Sequence, residues 1–201
     1  MEVRGGEPGA SVALWWLPVG AGGHVVIHTS RWWEAVRAWR GRRPRRSLFH
    51  AALEVEIGSA RTVIEMAPAW GNPGTSDAER GVVATGPVGM RWLGASRLFR
   101  YEVRRWEGGD IPDRDTAPAP PTRLQIAPAR AQMVLDRVGD VPRHVWGRDA
   151  LGMGDMWNSN SLIAWLLESC GVGAASRVPP AGGDAPGWQA GIAAATLQRG
   201  E

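Results

Sequence analysis

Residues Leu48 to Ile57 alternate with a period of two, and this stretch narrows the choice of fold more than any other. Phe49, Ala51, Leu53, Val55 and Ile57 point one way, and His50, Ala52, Glu54 and Glu56 the other. Such a segment is a half-buried strand that needs a sheet around it and a core beneath it. Gly58-Ser59-Ala60 reads as a short turn, and Arg61 to Ala67 as the partner strand of a hairpin. Leu98 to Trp106 reads as a further strand, as do Val12 to Leu17 and His24 to His28 on either side of a break at Gly20 to Gly23.

Helical spacing occurs in three places. Trp32, Trp33, Val36 and Trp39 follow a cap at Thr29 or Ser30 and stop before Gly41, which places these tryptophans in the core. Ile126, Met133, Val134 and Val138 mark a helix within Gln125 to Val138. The best pattern runs from Asn160 to Cys170, with Leu162, Ile163, Leu166, Leu167 and Cys170 on one face and Gly171 as the stop. Val82 to Gly94 is ambiguous. Pro68 to Arg80, the proline-rich Gly108 to Pro121 and Gly139 to Met156 read as loops. Strands and helices in this order predict an α+β fold, with an antiparallel sheet packed on the late helix. A single domain spans 1–201, with its core over about 11–171 and a Gly/Ala/Pro-rich tail, 172–201, laid on the body through Pro186-Gly187-Trp188.

Composition removes several function classes. A chain of 201 residues, 44% hydrophobic and 21% charged, has enough apolar surface to bury without a staple. One cysteine, Cys170, excludes an internal disulfide framework and a zinc site of several thiolates. No apolar run approaches the roughly 18 residues of a membrane helix. Glu2, Arg4 and Glu7 interrupt any signal-like start, so the cytoplasm is the expected location. The pI near 10.3 is misleading. There is no lysine, so all 23 basic residues are arginine, which holds the pI high while the net charge is only +3. Nucleic acid is therefore not an expected partner. Arg40, Arg42, Arg43, Arg45 and Arg46 around Pro44 read as a solvated basic turn, with phosphate or anionic-lipid contact as the alternative.

Immediately before the best helix stands Trp157-Asn158-Ser159-Asn160-Ser161. Small polar residues at a helix start are what capping selects. The same position also favours a nucleophile, because a hydroxyl there sits at the positive end of the dipole beside free N–H donors. A histidine on a strand (His50), then an antiparallel strand, then a nucleophile position at the start of a late helix resembles the circularly permuted papain-like superfamily. Its members include relatives of the NlpC-type cell-wall peptidases, lecithin retinol acyltransferase and the permuted deubiquitinating peptidases. Their nucleophile motif runs roughly Asn-Cys-x-x-Phe/Leu-Val, and Asn158-Ser159-Asn160-Ser161-Leu162-Ile163 is similar, with serine in place of cysteine. Phe99-Arg100-Tyr101-Glu102-Val103 with Trp106, together with Asn158 to Ser161, also resembles a bacterial family of uncharacterised proteins that carries Pro-Asn-Ser-Asn-Thr and Arg-Tyr-Glu-Val motifs. The resemblance covers Leu48 to Gly171.

This resemblance implies an amide or ester hydrolase, or an acyltransferase, with Ser159 as nucleophile, His50 as base and a backbone N–H near Asn160 in the oxyanion hole. Asn158, Asn160, Ser161 and Glu54 would line the site, and Trp157 and Trp188 would flank the cleft. The ligand would be a peptide, a glycan or a lipid-acyl group, and no cofactor is needed. Serine is a weak nucleophile unless a base lies within about 3 Å. Without that contact the fold serves as a binding module. Glu54 lies roughly 13 Å along the strand from His50, too far to orient it, and reads as a solvated face residue. Glu65 is the other candidate for the third position, although a three-residue turn would set it opposite Leu53 on the apolar face, so register decides. His24 and His28 are too far apart to share a metal, and His144 lies in a loop. Cys170 sits about three helical turns from Ser159 and reads as an inert thiol. Trp70, Trp146, Trp157 and Trp188 fall in loops, as anchors or as stacking platforms.

Overall fold

The computed structural model describes residues 9–20, 34, 38, 39, 42, 44–69, 76–111 and 113–200. Among these residues, apolar and β-branched runs form seven strands: β1 (Ala10–Pro18), β2 (Ser47–Ile57), β3 (Ala60–Pro68), β4 (Val82–Pro87), β5 (Arg100–Glu107), β6 (Thr122–Ile126) and β7 (Gly183–Asp184). Six of them line up as β4-β5-β3-β2-β1-β6, and β7 pairs with β2. The six are antiparallel neighbours, whereas β7 runs parallel to Ser47 and Leu48 at the start of β2. Three α-helices among the described residues pack on the sheet: α1 (Pro128–Arg137), α2 (Ser159–Ser169) and α3 (Trp188–Arg199). The fold is α+β.

The turn between β2 and β3 is one residue shorter than the sequence suggests. Ile57 pairs with Ala60, so only Gly58 and Ser59 form the turn, and Gly58 takes its first corner at φ +59. That is where a II′ hairpin places glycine. Ile64 therefore faces Leu53, and Glu65 moves to the side of the sheet that carries His50. A slip of one residue moves every side chain to the other face. Beyond Leu53 and Ile64 the two strands part. β2 continues along β1 until Phe49 meets Pro18, while β3 follows β5 until Pro68 meets Tyr101.

One face of the sheet holds the main core. Val12, Leu14 and Trp16, then Phe49, Ala51, Leu53 and Val55, then Tyr101 and Val103 meet Val134 of α1, Leu162 to Leu167 of α2 and Ala194 and Ala195 of α3. Helix α2 is buried all round from Ser159 to Leu167 rather than along one stripe, which is the condition of a central helix. Its last carbonyls are satisfied by arginines from both neighbours. Arg130 of α1 donates to Gly171 O (2.6 Å), Arg137 to Ser169 O (3.3 Å), and Arg199 of α3 to Glu168 O (2.8 Å). Helices α2 and α3 touch at Gly191, where a Cβ would lie 2.2 Å from Ser161 O and 2.8 Å from Ala164 Cβ. Gly191→Ala is thus expected to destabilise by about 2 kcal/mol despite alanine's better helix propensity, because backbone must move. A midpoint unchanged in urea would show that the crossing relaxes freely.

The opposite face is buried as well. Trp15, Leu17, Ala52, Val63 and Ile111 form a second apolar cluster, and around it lie the buried acids Glu54, Glu65 and Glu102. Each acid has arginine partners. Glu102 meets Arg80 at 2.8 Å and Arg104 at 2.9 Å, Glu65 meets Arg104 at 3.5 Å, and Glu54 meets Arg61 at 3.1 Å. Glu54 also accepts from Trp15 Nε1 (2.8 Å), while the Arg114 guanidinium lies 3.6 Å from Glu54 and 4.7 Å from the Trp15 ring centroid.

The sequence reading needs correction at several elements. Ile126 ends β6 rather than opening a helix, since Pro128 can stand only at the start of α1. The tail is not merely laid on the body. It contains α3 and adds Ala174, Ala185, Trp188, Ala194 and Ala195 to the main core. Trp39 is 78% exposed, not core. Arg42, Arg45 and Arg46 are exposed, in keeping with a solvated turn. The expected strand at His24 to His28, and Trp32, Trp33, Val36, Arg40, Arg43 and Trp70, lie outside the described residues. Among the described residues no helix is long and apolar enough to cross a membrane.

Candidate functional site

The start of α2 is where backbone hydrogen bonding needs the most help, because its first N–H groups have no partner within the helix. Asn158 is the cap: its Oδ1 accepts from Asn160 N at 2.9 Å and from Ser161 N at 3.4 Å. Ser161 Oγ returns the bond by accepting from Asn158 N at 3.0 Å, completing a capping box. The Ser161 hydroxyl lies 2.8 Å from Gly187 O and 3.2 Å from Met156 O, and Asn158 Nδ2 donates to Pro186 O at 2.8 Å. Asp155 holds the other side of this corner by accepting from Gly187 N at 2.8 Å. The Pro186-Gly187 corner that starts α3 is thereby bolted to the start of α2.

Asn160 does something different. Where β2 and β3 part, Phe49 O and Ala51 N face an edge of β2 that β3 no longer pairs. Asn160 fills that place: its Oδ1 accepts from Ala51 N (2.7 Å) and its Nδ2 donates to Phe49 O (3.0 Å) and Pro186 O (2.8 Å). The carboxamide acts as a one-residue stand-in for a strand, gripping β2 on both sides of His50. It is 2% exposed.

Of the polar quartet, only Ser159 is uncommitted. Its hydroxyl and its backbone N–H have no hydrogen-bond partner among the described residues, although the residue is just 6% exposed. His50 is likewise unbonded. It leaves β2 on the face opposite Phe49 and Ala51, beside Leu17, its partner on β1. Trp157 Nε1 is the one fully buried side-chain polar atom left without a partner among the described residues, so the Ser159 hydroxyl and the His50 nitrogens keep a trace of solvent contact. Burial pushes the His50 pKa from 6.5 down to about 4, against the Asp113 carboxylate, which favours the protonated ring. His50 is therefore neutral at pH 7. No hydrogen bond joins Ser159 to His50.

The third position is contested. The shortened turn brings Glu65 to the His50 side, where it pairs with Arg104 across β3 and β5, and no hydrogen bond joins it to His50. Burial lifts its pKa to about 6, opposed by Arg104 and reinforced by Asp113. Asp113 is thus the acid whose charge reaches both His50 and Glu65. It sits at φ +62 in the 3-10 turn that places Ile111 against Leu17 and Arg114 over Trp15. Sequence reasoning missed it because a turn-forming Asp in a proline-rich crossing carries no other signal.

Other site expectations change with the structure. Glu54 is 1% exposed and tied to Trp15, Arg61 and Arg114, so it is not a solvated face residue. Trp157 and Trp188 do not flank a cleft. Both belong to the main core, Trp157 against His144 (4.8 Å, edge-on) and Trp188 against Trp16 (4.9 Å). Of the backbone N–H groups near Asn160, where the oxyanion donor is expected, Asn160 N is taken up by Asn158 Oδ1 and the N–H of Ser159 is the open donor. Cys170 is buried, and burial pushes its thiol pKa up.

The His50 shift has a stability consequence with a definite sign. Between pH 6.5 and about 4 the unfolded chain binds a proton at His50 that the folded chain refuses, so stability falls as pH drops through this range. The loss should reach roughly 3 kcal/mol near pH 4. Glu65 has the opposite slope, because its raised pKa favours the folded state below about 6. Comparing His50→Gln with the parent chain cancels that contribution. The difference in unfolding free energy between the two chains should shrink by the His50 amount from pH 7 to pH 4. A constant difference would show that His50 is not desolvated.

No protein-family model, curated protein or solved structure matches this chain.

Proposed function

We propose that this chain is an amide or ester hydrolase, or an acyltransferase, on a permuted papain-like arrangement, with Ser159 as its nucleophile and His50 as its base. One observation carries the reading. At the start of α2 every polar side chain except Ser159 is consumed by architecture, and the hydroxyl left over stands beside its own unpaired N–H. In the reaction Ser159 Oγ would attack the substrate carbonyl carbon while its proton passes to neutral His50. The oxyanion would take the Ser159 N–H and the positive end of α2. Collapse would expel the amine or alcohol, protonated by His50, and leave an acyl-serine for water or an acceptor alcohol or amine. The resemblance at Asn158 to Ile163 points to peptide, glycan-linked peptide or lipid-acyl substrates.

A second reading is supported by the missing Ser159–His50 hydrogen bond and by a base held near pKa 4, far below the working pH that makes proton transfer efficient. On that reading the fold binds a peptide, glycan or lipid headgroup without turning it over. A fluorophosphonate probe distinguishes the two. Covalent labelling of the folded protein, lost in Ser159→Ala and weakened at least tenfold in His50→Ala, supports the enzyme. Its rate should be level from about pH 5 upward, since His50 is already deprotonated. No labelling, or labelling that survives Ser159→Ala, leaves the binding module.

A further inference from the structure

The link between β4 and β5 exposes four large hydrophobic side chains: Met90 (46%), Trp92 (73%), Leu98 (61%) and Phe99 (42%). It is wound into two short 3-10 turns, Arg91–Ala95 and Arg97–Phe99, neither of which buries a residue. Yet the link is built rather than frayed. Val88 N donates to Phe99 O at 2.8 Å across its neck, and the Arg100 side chain donates to Gly94 O (3.1 Å) and Ala95 O (3.3 Å). A Cβ on Gly94 would lie 2.8 Å from Pro87 Cβ, so the link rests directly on β4. Four exposed large apolar side chains gathered on one held link are the kind of feature that marks an interaction site.

Its charge identifies the partner. From Val88 to Tyr101 the chain carries Arg91, Arg97 and Arg100 and no acid. The segment alongside, joined by the Val88–Trp146 bridge and the Arg148 bond to Gly89 O (2.7 Å), adds exposed Arg143 and Arg148. Arg91 and Arg143 form no ion pair among the described residues. Four side chains offer only a few hundred Å², short of the roughly 800 Å² per partner that a stable protein interface buries. Exposed tryptophan, leucine and phenylalanine side chains interspersed with arginines, with Asp149 the exposed acid next to Arg148, fit a bilayer's headgroup boundary, where indoles settle and phosphates meet guanidinium groups.

We propose that the Met90–Arg100 link docks the protein on the surface of an anionic lipid bilayer, with Trp92, Leu98 and Phe99 entering the headgroup boundary. The surface does not depend on the chemistry of Ser159. Sedimentation with phosphatidylcholine vesicles, and with vesicles that also contain phosphatidylglycerol, tests it. The full chain should bind the anionic vesicles at least tenfold more tightly than the zwitterionic ones. Trp92→Ala with Leu98→Ala should reduce that binding at least tenfold. Arg91→Gln with Arg143→Gln should reduce it by about fivefold per arginine, consistent with the usual gain per basic residue at such a surface. Ser159→Ala should bind as the parent does, so a failed labelling reaction and a failed docking surface are separable. Arg91, Trp92, Leu98 and Arg143 are exposed, and unchanged circular dichroism will show that all the variants fold. Absence of binding to anionic vesicles, equal binding to both vesicle types, or binding indifferent to the paired substitutions would overturn the proposal. So would a dimer that Trp92→Ala dissolves in a chain that ignores vesicles, which would assign the surface to a second copy.

Discussion

Asn160→Ala is expected to lower the free energy of unfolding by about 4 kcal/mol, mainly the penalty for Ala51 N and Phe49 O, two buried groups that lose their partner at once, while Pro186 O still accepts from Asn158 Nδ2. Ala51 N, Phe49 O and Pro186 O all meet this one carboxamide at 3.0 Å or less. Alanine is too short to reach any of them, and at 2% exposure of Asn160 bulk water reaches the place poorly. The loss should appear as a lower denaturant midpoint at an unchanged slope. Asn160→Asp sharpens the test. It keeps the shape and the acceptor for Ala51 N, but it turns an oxygen toward Phe49 O and Pro186 O, so it should also destabilise. If Asn160→Asp were neutral, the two carbonyls would not depend on Asn160, and the stand-in strand would be no more than a contact.

Glu102→Ala should cost a similar amount, about 4 kcal/mol, for the opposite electrostatic reason. Glu102 accepts from Arg80 Nε (3.2 Å) and Nη2 (2.8 Å) and from Arg104 Nε (3.1 Å) and Nη2 (2.9 Å). The Arg80 side chain is 4% exposed, so removing the acid strands positive charge in a place water reaches poorly. Asp77 remains against Arg80, but it sits at the surface and holds only one end of the guanidinium. The penalty belongs to the buried positive charge that loses its carboxylate more than to the lost pair. Arg80→Met in a Glu102→Leu background should therefore recover most of it. A double variant as unstable as Glu102→Ala alone would instead show that the pair itself supplies the stability.

Much of this architecture could be read in the residues. The alternation of Leu48 to Ile57 predicts β2 and its core face, and the Asn160 to Cys170 spacing predicts α2 and its glycine stop. What escaped depends on register and on partners distant in sequence. Whether Gly58-Ser59 or Gly58-Ser59-Ala60 makes the turn decides which face Glu65 takes, and local propensity allows both. Glu54 looks like a solvent-facing residue until the arginines of other elements, Arg61 and Arg114, close over it. Helix α3 hides because its run of Gly and Ala resembles a linker, when small size is what lets Gly191 approach α2. In the polar quartet the capping expectation holds for Asn158 and Ser161. The role of Asn160 could not be foreseen, since nothing local says that β2 and β3 part company beside it.

The corner at Pro186-Gly187 also bears on how the chain is made. The polypeptide leaves the ribosome at about 5–20 residues per second, and folding begins before it ends. β1 to β6 and the body of α2 can be in place before residues 183–199 have left the tunnel. At that stage the carbonyls of Pro186 and Gly187, which receive Asn158, Asn160 and Ser161, do not yet exist as partners, and the start of β2 has no β7 beside it. The region around Ser159 thus sets only after Pro186 and Gly187 have arrived. A nascent chain stalled before α3 should hold a nearly finished sheet around an unfinished centre, open to the chaperones that meet it there.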